Sequence, residues 1–365
     1  MKMNKWTMGL AAAGVVTLSS VAQAQDAAAG AEALAASTTL SGYVSTGYKF
    51  NNGSAESGYF RSGQGRNAFS LDVVDLKLSS AQGDGAMDTG YTVELWMGPA
   101  ASDIATQDSG SGGTVELMQA NIDLRLNGID LKIGQFGTVV GNEVYNYNEN
   151  ALYTHSYGFA VEPTHHTGLL ASYTVSDDLQ ISVGLANTNG PETNGSAAGN
   201  GSSKTILASV SYTLPSGTGA LAGTELYYGL VSGNDTTESG NNDYHYASIT
   251  LPELVANVSI SATWDHVEYG GATEADSNVA GLHLGYALDA DTTINVRYEM
   301  GNINTTTGPG AWAQGADGLQ SVTVGVNRKI WDNVTSRIEY RNDTKDNAAT
   351  DDSQSVVALN LIYSF

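Results

Sequence analysis

Seven charged residues form the set with the clearest chemical possibilities. The glutamates Glu143, Glu149 and Glu162 fall within residues 138–163, and the basic residues are Lys132, Arg297, Arg337 and Arg341. Opposed rows of acidic and basic groups at a narrow point of an aqueous passage select ions and orient polar solutes. The alternative is that these side chains are solvated and paired with neighbours such as Glu299 and Glu339, since exposed ion pairs contribute little energy.

Histidines suggest metal binding, but their spacing does not favour it. His155 precedes the adjacent pair His165 and His166 by ten positions, and neighbours on a strand point to opposite faces, so they cannot share one ion without a bend. Three further histidines fall in different predicted strands, and the sequence alone brings no two of them together: His245, His266 and His283. We therefore expect structural roles for the histidines and no metal site.

An acidic segment near the end of the chain, NDTKDNAATDD, offers a second set of possible metal ligands. Its carboxylates are Asp343, Asp346, Asp351 and Asp352. Their spacing departs from that of an EF-hand loop, so a solvated acidic loop tip is the favoured interpretation.

Catalytic and nucleotide-binding motifs are missing or incomplete. The sequence has no Gly-x-Ser-x-Gly elbow, and GNGSSKT at 199–205 lacks the Gly-Lys pair of a phosphate-binding loop. The Gly308-x-Gly310 tripeptide lies in a segment that contains proline and has no helix after it, which does not support a dinucleotide fold. We predict no enzymatic activity and no cofactor, although a motif search does not detect active groups spread over strands.

The composition excludes several classes of protein. The 365 residues include 15 Lys and Arg against 38 Asp and Glu, for a net charge of -23, with 43 Gly and no Cys. A nucleic-acid partner is not expected because phosphates are bound through clustered basic residues. The absence of cysteine excludes disulfides and thiolate metal sites.

The first residues resemble an export signal. Lys2 and Lys5 precede an apolar stretch from Trp6 to Val21, and Ala22-Gln23-Ala24 suits signal peptidase, which predicts a signal peptide at 1–24. Removal of its two lysines leaves 13 basic and 38 acidic residues, a charge of -25. Residues 25–37 are rich in alanine and are expected to form a short N-terminal lead, either disordered or briefly helical.

From Leu40 onward, apolar residues recur at every second position, as in a strand with one apolar face. Sixteen segments show this pattern, at about 40–50, 69–80, 89–98, 114–127, 129–137, 164–175, 179–187, 204–214, 224–232, 243–251, 254–269, 278–288, 292–302, 319–330, 333–342 and 355–365. Their connections alternate between long and short, which is typical of a transmembrane β-barrel with long loops on one rim. A soluble β-sandwich shares the alternation within strands but gives no reason for this sorting of loops.

The two faces of these strands suit lipid and water. Tyrosine or tryptophan recurs near strand ends, as in an interfacial girdle, at Tyr48, Tyr173, Tyr212, Tyr228, Tyr286, Trp331, Tyr340 and Tyr363. The opposite face carries many charges, including Glu94, Asp123, Lys132, Asp265, Arg297 and Arg341. A dry core would not tolerate them, whereas a water-filled lumen would, and about sixteen strands enclose one.

Two stretches carry a resemblance to known families. The last segment, QSVVALNLIYSF, resembles the terminal strand of Gram-negative outer-membrane proteins, which implies that Tyr363 and Phe365 form the signal read by the barrel-assembly machinery. The stretch from Gly134 to Gly190 resembles the putative β-barrel porin-2 family. Its matching elements are Gly134 to Phe136, Gly141 to Glu143, Asn150, Ser156-Tyr157, Pro163 and His166 to Gly168.

The resemblance implies a channel and no particular solute. In trimeric general porins, which share the architecture, the third long loop folds into the lumen; the resemblance implies the same for 138–163, with the seven charged residues at the constriction. The expected fold is therefore all-β, a transmembrane antiparallel up-and-down β-barrel of about 16 strands spanning 38–365.

The function predicted from the sequence is passive diffusion of small hydrophilic solutes and ions through an outer-membrane porin with a mild cation preference. The expected partners are outer-membrane lipid and lipopolysaccharide, the assembly machinery, the solutes and, as one possibility, two further copies in a homotrimer. The alternatives are a structural or adhesive outer-membrane barrel whose acidic loops bind divalent ions, and a soluble secreted β-sandwich.

Overall fold

The structure is a computed structural model that describes residues 38–51, 67–102, 114–190, 203–234, 240–270, 275–303, 318–346 and 353–365. The expected signal peptide at 1–24 and lead at 25–37 lie outside these residues, as do Asp351 and Asp352.

Sixteen strands form one closed antiparallel barrel in which each strand pairs with its neighbours in sequence and β1 pairs with β16. The first eight are β1 Thr38–Asn51, β2 Ala68–Ser80, β3 Met87–Met97, β4 Val115–Leu126, β5 Ile129–Gly137, β6 His165–Ser176, β7 Leu179–Ala186 and β8 Thr205–Thr213. The others are β9 Glu225–Gly233, β10 Asn242–Thr250, β11 Val258–Tyr269, β12 Ala275–Ala287, β13 Thr292–Asn302, β14 Leu319–Trp331, β15 Val334–Lys345 and β16 Ser353–Ser364. The predicted up-and-down barrel of sixteen strands is confirmed.

The two-residue period sorts side chains between the outside and the inside of the barrel. In β16, Leu359 and Leu361 are exposed by 47% and 41%, whereas Ala358, Asn360 and Ile362 between and beside them are buried. Closure of the sheet leaves no unpaired edge, so every strand can satisfy its backbone groups within a bilayer. The apolar face therefore lies outside, toward lipid.

The short connections contain residues suited to tight turns. Asn127 and Gly128 join β4 to β5 with φ angles of 52° and 87°. Two successive residues with positive φ form the hairpin turn that matches the twist of the strands, and Asn-Gly adopts it at little cost.

Two strand ends differ from the sequence-based prediction. The segment 254–257, assigned to a strand from its apolar residues, is a turn: Asn257 has φ 65° and its N–H donates to Glu253, so β11 begins at Val258. β15 extends to Lys345, which places Asp343 within a strand, where Arg341 binds it, instead of in an acidic loop tip. The solvated position expected for Asp343 was wrong.

Three short helical segments complete the described fold: α1 Pro99–Ser102, α2 Tyr157–Val161 and a 3-10 helix Ser216–Leu221. The Ser156 hydroxyl caps α2 by accepting a hydrogen bond from the Phe159 N–H at 3.0 Å. Within the described ranges, no helix has the length and apolar character to cross a membrane.

Candidate pore constriction

The segment between β5 and β6, residues 138–164, crosses the inside of the barrel, and we refer to it as the crossing loop. It leaves from β5, yet its contacts reach β13 and β15. In a ring of sixteen strands, β5 and β13 are eight steps apart in either direction (13 minus 5), so these strands lie on opposite walls. A loop that touches both walls divides the lumen.

Three arginines of the far wall bind the backbone of the crossing loop. Arg297 on β13 donates to the carbonyl of Thr154 at 2.9 Å and to that of His155 at 3.2 Å. The other two arginines lie on β15. Arg337 donates to the carbonyls of Tyr147 and Asn150 at 2.6 and 2.7 Å, and Arg341 donates to that of His155 at 2.6 Å. Because a guanidinium has five N–H donors in a fixed fork, each arginine can hold several loop carbonyls at once.

Carboxylates on the same strands bind the N–H groups of the loop. Glu339 on β15 accepts from the N–H of Tyr153 at 2.6 Å and from the hydroxyl of Thr154 at 2.5 Å. Glu299 on β13 accepts from the N–H of Tyr157 at 2.6 Å and forms an ion pair with Arg297 at 2.9 Å. The wall therefore alternates donors and acceptors, and both kinds of loop backbone group find partners away from bulk water.

The crossing loop is also attached to β2 and β3. Asn146 donates to Glu94 on β3 at 3.0 Å and accepts from the Trp96 indole at 3.2 Å. Further along the loop, the Tyr153 hydroxyl donates to Asp72 on β2 at 2.6 Å. The loop thus has anchors on both sides of the junction between β1 and β16.

Aromatic residues form a buried cluster between the loop and this wall. Tyr147 stacks on Trp96 with ring centroids 5.9 Å apart and lies 5.8 Å from Tyr153. The cluster also includes Tyr43 of β1 and Tyr157 of α2, all buried. Part of the lumen is therefore filled by packed aromatic side chains.

Glu143 is held within the arginine network. Its side chain is only 8% exposed and forms an ion pair with Arg297, and it accepts from the N–H of Ser156 at 2.6 Å. Burial raises the pKa of this carboxyl, but the opposing effects of Arg297, His155 and the Ser156 hydrogen bond are larger together, and its pKa lies below the usual value. Glu143 is therefore ionised and paired at neutral pH.

The pKa of Glu162 is shifted in the opposite direction. Burial and the nearby carboxylates of Asp265 and Glu143 raise the pKa of Glu162 well above its usual value. Two carboxyl groups in contact share a proton because two adjacent negative charges repel. Glu162 therefore contributes less negative charge to the lumen than its residue type suggests.

Glu149 faces water next to a cavity of about 240 Å³ between the loop and β11–β13. The loop side of the cavity includes Glu143 and Glu149, and the strand side includes Ser261, His283 and Asn295. This side of the loop is polar, in contrast with the aromatic side. Of the three glutamates expected at the constriction, Glu149 is the one that both lines this cavity and is exposed.

Lys132 lies on β5, on the wall opposite the three arginines. Its ammonium contacts Asp123 at 2.8 Å, and its side chain is 36% exposed. The structure therefore brings together Glu143, Arg297, Arg337 and Arg341 around the loop and places Lys132 apart from them. The arginines do not face the glutamates across open water; the loop itself covers them.

Histidines in and beside the loop make structural contacts. His155 lies 3.2 Å from the Asn150 amide and stacks on Phe159, and His166 contacts the Thr138 hydroxyl at 2.9 Å. Among the described residues, no three histidine, aspartate or glutamate side chains already converge in an arrangement that would hold a metal ion.

The sequence analysis placed Glu94 on the inward face and named Glu299 and Glu339 as possible partners of the basic residues. It did not predict that the wall receives the loop through Asp72, Glu94, Trp96, Glu299 and Glu339. The sequence does contain a signal for Glu299 and Glu339. Arginine and glutamate alternate at every second position in both β13 and β15, which places opposite charges on one inward face, as a surface that binds peptide backbone would require.

Comparison with known proteins identifies the family. The model of the family described as "Putative beta-barrel porin-2, OmpL-like" matches residues 37–365. Among solved structures, OmpTdeltaL8, a loop L8 deletion mutant of OmpT from Vibrio cholerae, has 14% sequence identity to this chain and a TM-score of 0.62. The match covers 90% of this chain and 99% of OmpTdeltaL8. None of the curated protein sequences that were compared matches.

Two further solved structures share the fold. The anion-selective porin from Comamonas acidovorans has 13% identity and a TM-score of 0.59, covering 90% of this chain and 99% of its own. The outer membrane channel DcaP of Acinetobacter baumannii has 12% identity and a TM-score of 0.60, covering 90% and 97%. Because the family model spans the whole barrel, the protein belongs to the putative beta-barrel porin-2, OmpL-like family, and is a transmembrane porin barrel of the outer membrane.

Proposed function

We propose that the barrel is a water-filled channel for passive diffusion of small hydrophilic solutes and ions, with a mild preference for cations. We infer the ion preference from which charged side chains at the crossing loop are buried and which are exposed. Arg297, Arg337 and Arg341 are buried against the loop, whereas Glu149 is exposed beside the polar cavity. An uncompensated carboxylate at a narrow point attracts cations and repels anions.

The rest of the passage is proposed to run along the wall formed by β6–β9. Its inward side chains include four half-exposed serines, Ser172, Ser182, Ser209 and Ser211, and the first two share a hydrogen bond of 2.8 Å. Hydroxyl groups replace part of a solute's hydration without holding it tightly, so solutes can move down their gradients with no cofactor. The net charge of -23 further enriches cations near the mouths, within a Debye length of roughly 8 Å.

The reversal potential of the purified protein in a planar bilayer under a KCl gradient tests this proposal. We expect a sign that indicates potassium preference, and a clear shift toward zero in Glu149→Gln. Asp177→Asn, at an exposed short turn on the other rim, removes the same charge and should change the potential less. Chloride preference in the wild type, or an unchanged potential in Glu149→Gln, would contradict the role of this carboxylate.

Liposome swelling tests the channel itself. Vesicles that contain the protein should swell in small sugars faster than empty vesicles. Equal rates would instead favour a structural or adhesive barrel.

We further propose that three copies associate. The support is a trimer form solved for OmpT of Vibrio cholerae, whose fold this chain shares with a TM-score of 0.59 and 13% identity. In the bilayer experiment, each insertion of a trimer would add three conductance levels of equal size. Single steps would indicate a monomer.

Loss of the terminal aromatic side chain should impair assembly. Phe365 exchanges backbone hydrogen bonds with Gly42 of β1 at 2.9 and 3.0 Å, and its side chain is 45% exposed beside Tyr363. We propose that this exposed ring is recognised by the assembly machinery. Phe365→Ala should therefore lower the amount of folded barrel in cell membranes severalfold, as measured by heat-modifiable migration, while Tyr363→Phe, which keeps the ring, should not.

Refolding in detergent separates recognition from stability. Phe365→Ala should refold to the wild-type yield because its backbone pairing with Gly42 is unchanged. Normal assembly of Phe365→Ala in cells would rule out the proposed signal, and failure in detergent as well would assign the residue to stability alone.

A further inference from the structure

A cluster of histidines and carboxylates lies on β10 and β11, near the rim that carries the long loops. His245 and His266 are direct cross-strand partners, and their rings stack with centroids 5.9 Å apart. Two positions nearer the rim, Asp243 and Glu268 are also partners. The residue between the two β11 members, Val267, is buried inside the barrel, so all four side chains point outward.

The carboxylate end of the cluster lies close to the rim of the barrel. Trp264, two residues below His266, is 41% exposed and stacks on the imidazole with a 4° angle between the ring planes. Glu268 lies one position before the end of β11, and its side chain is 64% exposed. Its carboxylate is therefore open to water and ions.

The two ring nitrogens of His266 both face hydrogen-bond acceptors. Nδ1 lies 2.8 Å from Oδ1 of Asn278, whose amide nitrogen donates to Asp276 at 3.3 Å, and this contact keeps the amide oxygen turned toward the ring. Nε2 lies 3.1 Å from Oε1 of Glu268. A neutral imidazole carries one N–H and can satisfy only one of these acceptors. When Nδ1 carries that N–H, the lone pair of Nε2 points toward the Glu268 carboxylate and is available to a metal ion.

The spacing on that side suits a metal ion. In a tetrahedral site, two ligands at about 2.0–2.2 Å from one ion are separated by about 3.4 Å. Nε2 of His266 and Oε1 of Glu268 lie 3.1 Å apart, so a small separation of the two atoms makes room for an ion. The Asn278 contact on Nδ1 is the kind of outer hydrogen bond that orients a metal-bound histidine. The other two residues have partners in the structure, since Nδ1 of His245 lies 2.7 Å from the Tyr228 hydroxyl and Asp243 accepts from the Ser232 hydroxyl; they would exchange these contacts for the ion.

An open groove of about 550 Å³ lies beside the cluster, and its lining includes Asp243, His266, Glu268 and Asp276. We propose that His266 and Glu268, completed by rotation of His245 and Asp243, bind a divalent transition-metal ion of the Zn²⁺ type on the outer surface of the barrel. Imidazole together with carboxylate favours Zn²⁺, Ni²⁺ or Cu²⁺, whereas Ca²⁺ and Mg²⁺ prefer oxygen ligands alone.

Calorimetric titration of the untagged full-length protein in detergent, after treatment with EDTA, tests the site with Zn²⁺ alone. We expect saturable binding of one ion per chain. His266→Asn and His245→Asn should each weaken it by about tenfold or more, since even outer-shell changes cost that much, and Glu268→Gln should also weaken it. Asp332→Asn, an exposed carboxylate at the turn between β14 and β15, is the matched control and should bind like the wild type.

Trp264 provides a second, independent readout. Because its ring stacks on His266, Cu²⁺ in the site should quench part of the tryptophan fluorescence with the same saturation, and Trp264→Phe should lose that part while still binding Zn²⁺. The proposal is overturned if the wild type shows no saturable Zn²⁺ binding. It is also overturned if His266→Asn binds normally, or if Ca²⁺ displaces Zn²⁺ at equal concentration.

Discussion

Arg297→Gln is expected to release the crossing loop and to raise single-channel conductance, with larger current noise. The arginine holds two loop carbonyls and neutralises Glu143 and Glu299 in a buried site. Removal of one partner from a buried ion pair costs about 3 to 5 kcal/mol because the remaining charges lose their compensation. Undocking of the loop returns these carboxylates to water, so the variant should favour the undocked state. Planar-bilayer recording of single channels measures the change.

Three further variants separate loop release from general damage. Arg328→Gln removes an exposed arginine from β14 and should leave conductance unchanged. The double variant Arg297→Gln with Glu143→Gln removes one uncompensated charge and should recover part of the wild-type behaviour. If Arg297→Gln does not assemble, Arg337→Gln, which loses bonds to the Tyr147 and Asn150 carbonyls, provides the same test. Wild-type conductance and noise in both single variants would contradict the anchoring role.

Replacement of residues 142–160 by a short Gly/Ser linker is expected to increase conductance severalfold and to abolish most of the ion preference. The loop fills part of the lumen with its aromatic cluster and contributes Glu149 to the polar cavity. A short linker is sufficient because the ends of the loop are adjacent, with the Thr138 N–H donating to the Thr164 carbonyl at 3.1 Å. The barrel should persist, since its sixteen strands pair with each other independently of the loop.

A matched control replaces residues 216–221, in the turn between β8 and β9 on the other rim, by a similar linker. This change shortens a connection without touching the crossing loop and should leave conductance close to that of the wild type. Unchanged conductance in the 142–160 replacement would show that the narrowest point lies elsewhere. Folding of both proteins can be verified by heat-modifiable migration before recording.

The strands and their order could be predicted from the sequence because each rests on local information. A two-residue period requires only that lipid lies on one side and water or packed polar groups on the other, and the alternation of loop lengths follows from neighbouring strands that run in opposite directions. The prediction failed where backbone conformation overrode hydrophobicity. Leu254 and Val255 are apolar, yet Asn257 adopts a positive φ and turns the chain there.

The partners of the charged residues could not be predicted in the same way. Arg297 and Glu143 are 154 positions apart, and Glu339 and Tyr153 are 186 apart. Nothing in the local pattern distinguishes an arginine that faces open water from one that is covered by a loop, since both occupy the inward phase of a strand. The sequence left open whether these charges form opposed rows or pair with neighbours, and in the structure the arginines belong to a buried network. His245 and His266, on separate strands, are neighbours.

The barrel, its strand number, its apolar outer surface and the concentration of glutamate and tyrosine in one long connection all follow from local patterns in the sequence. Which of those charges are neutralised, and which side of the lumen is packed with aromatic rings, depends on how the chain folds. Strand periodicity is set by adjacent residues, whereas the energy of a charge depends on the groups that surround it in space, and in this barrel those groups come from the crossing loop and from the wall opposite its first strand.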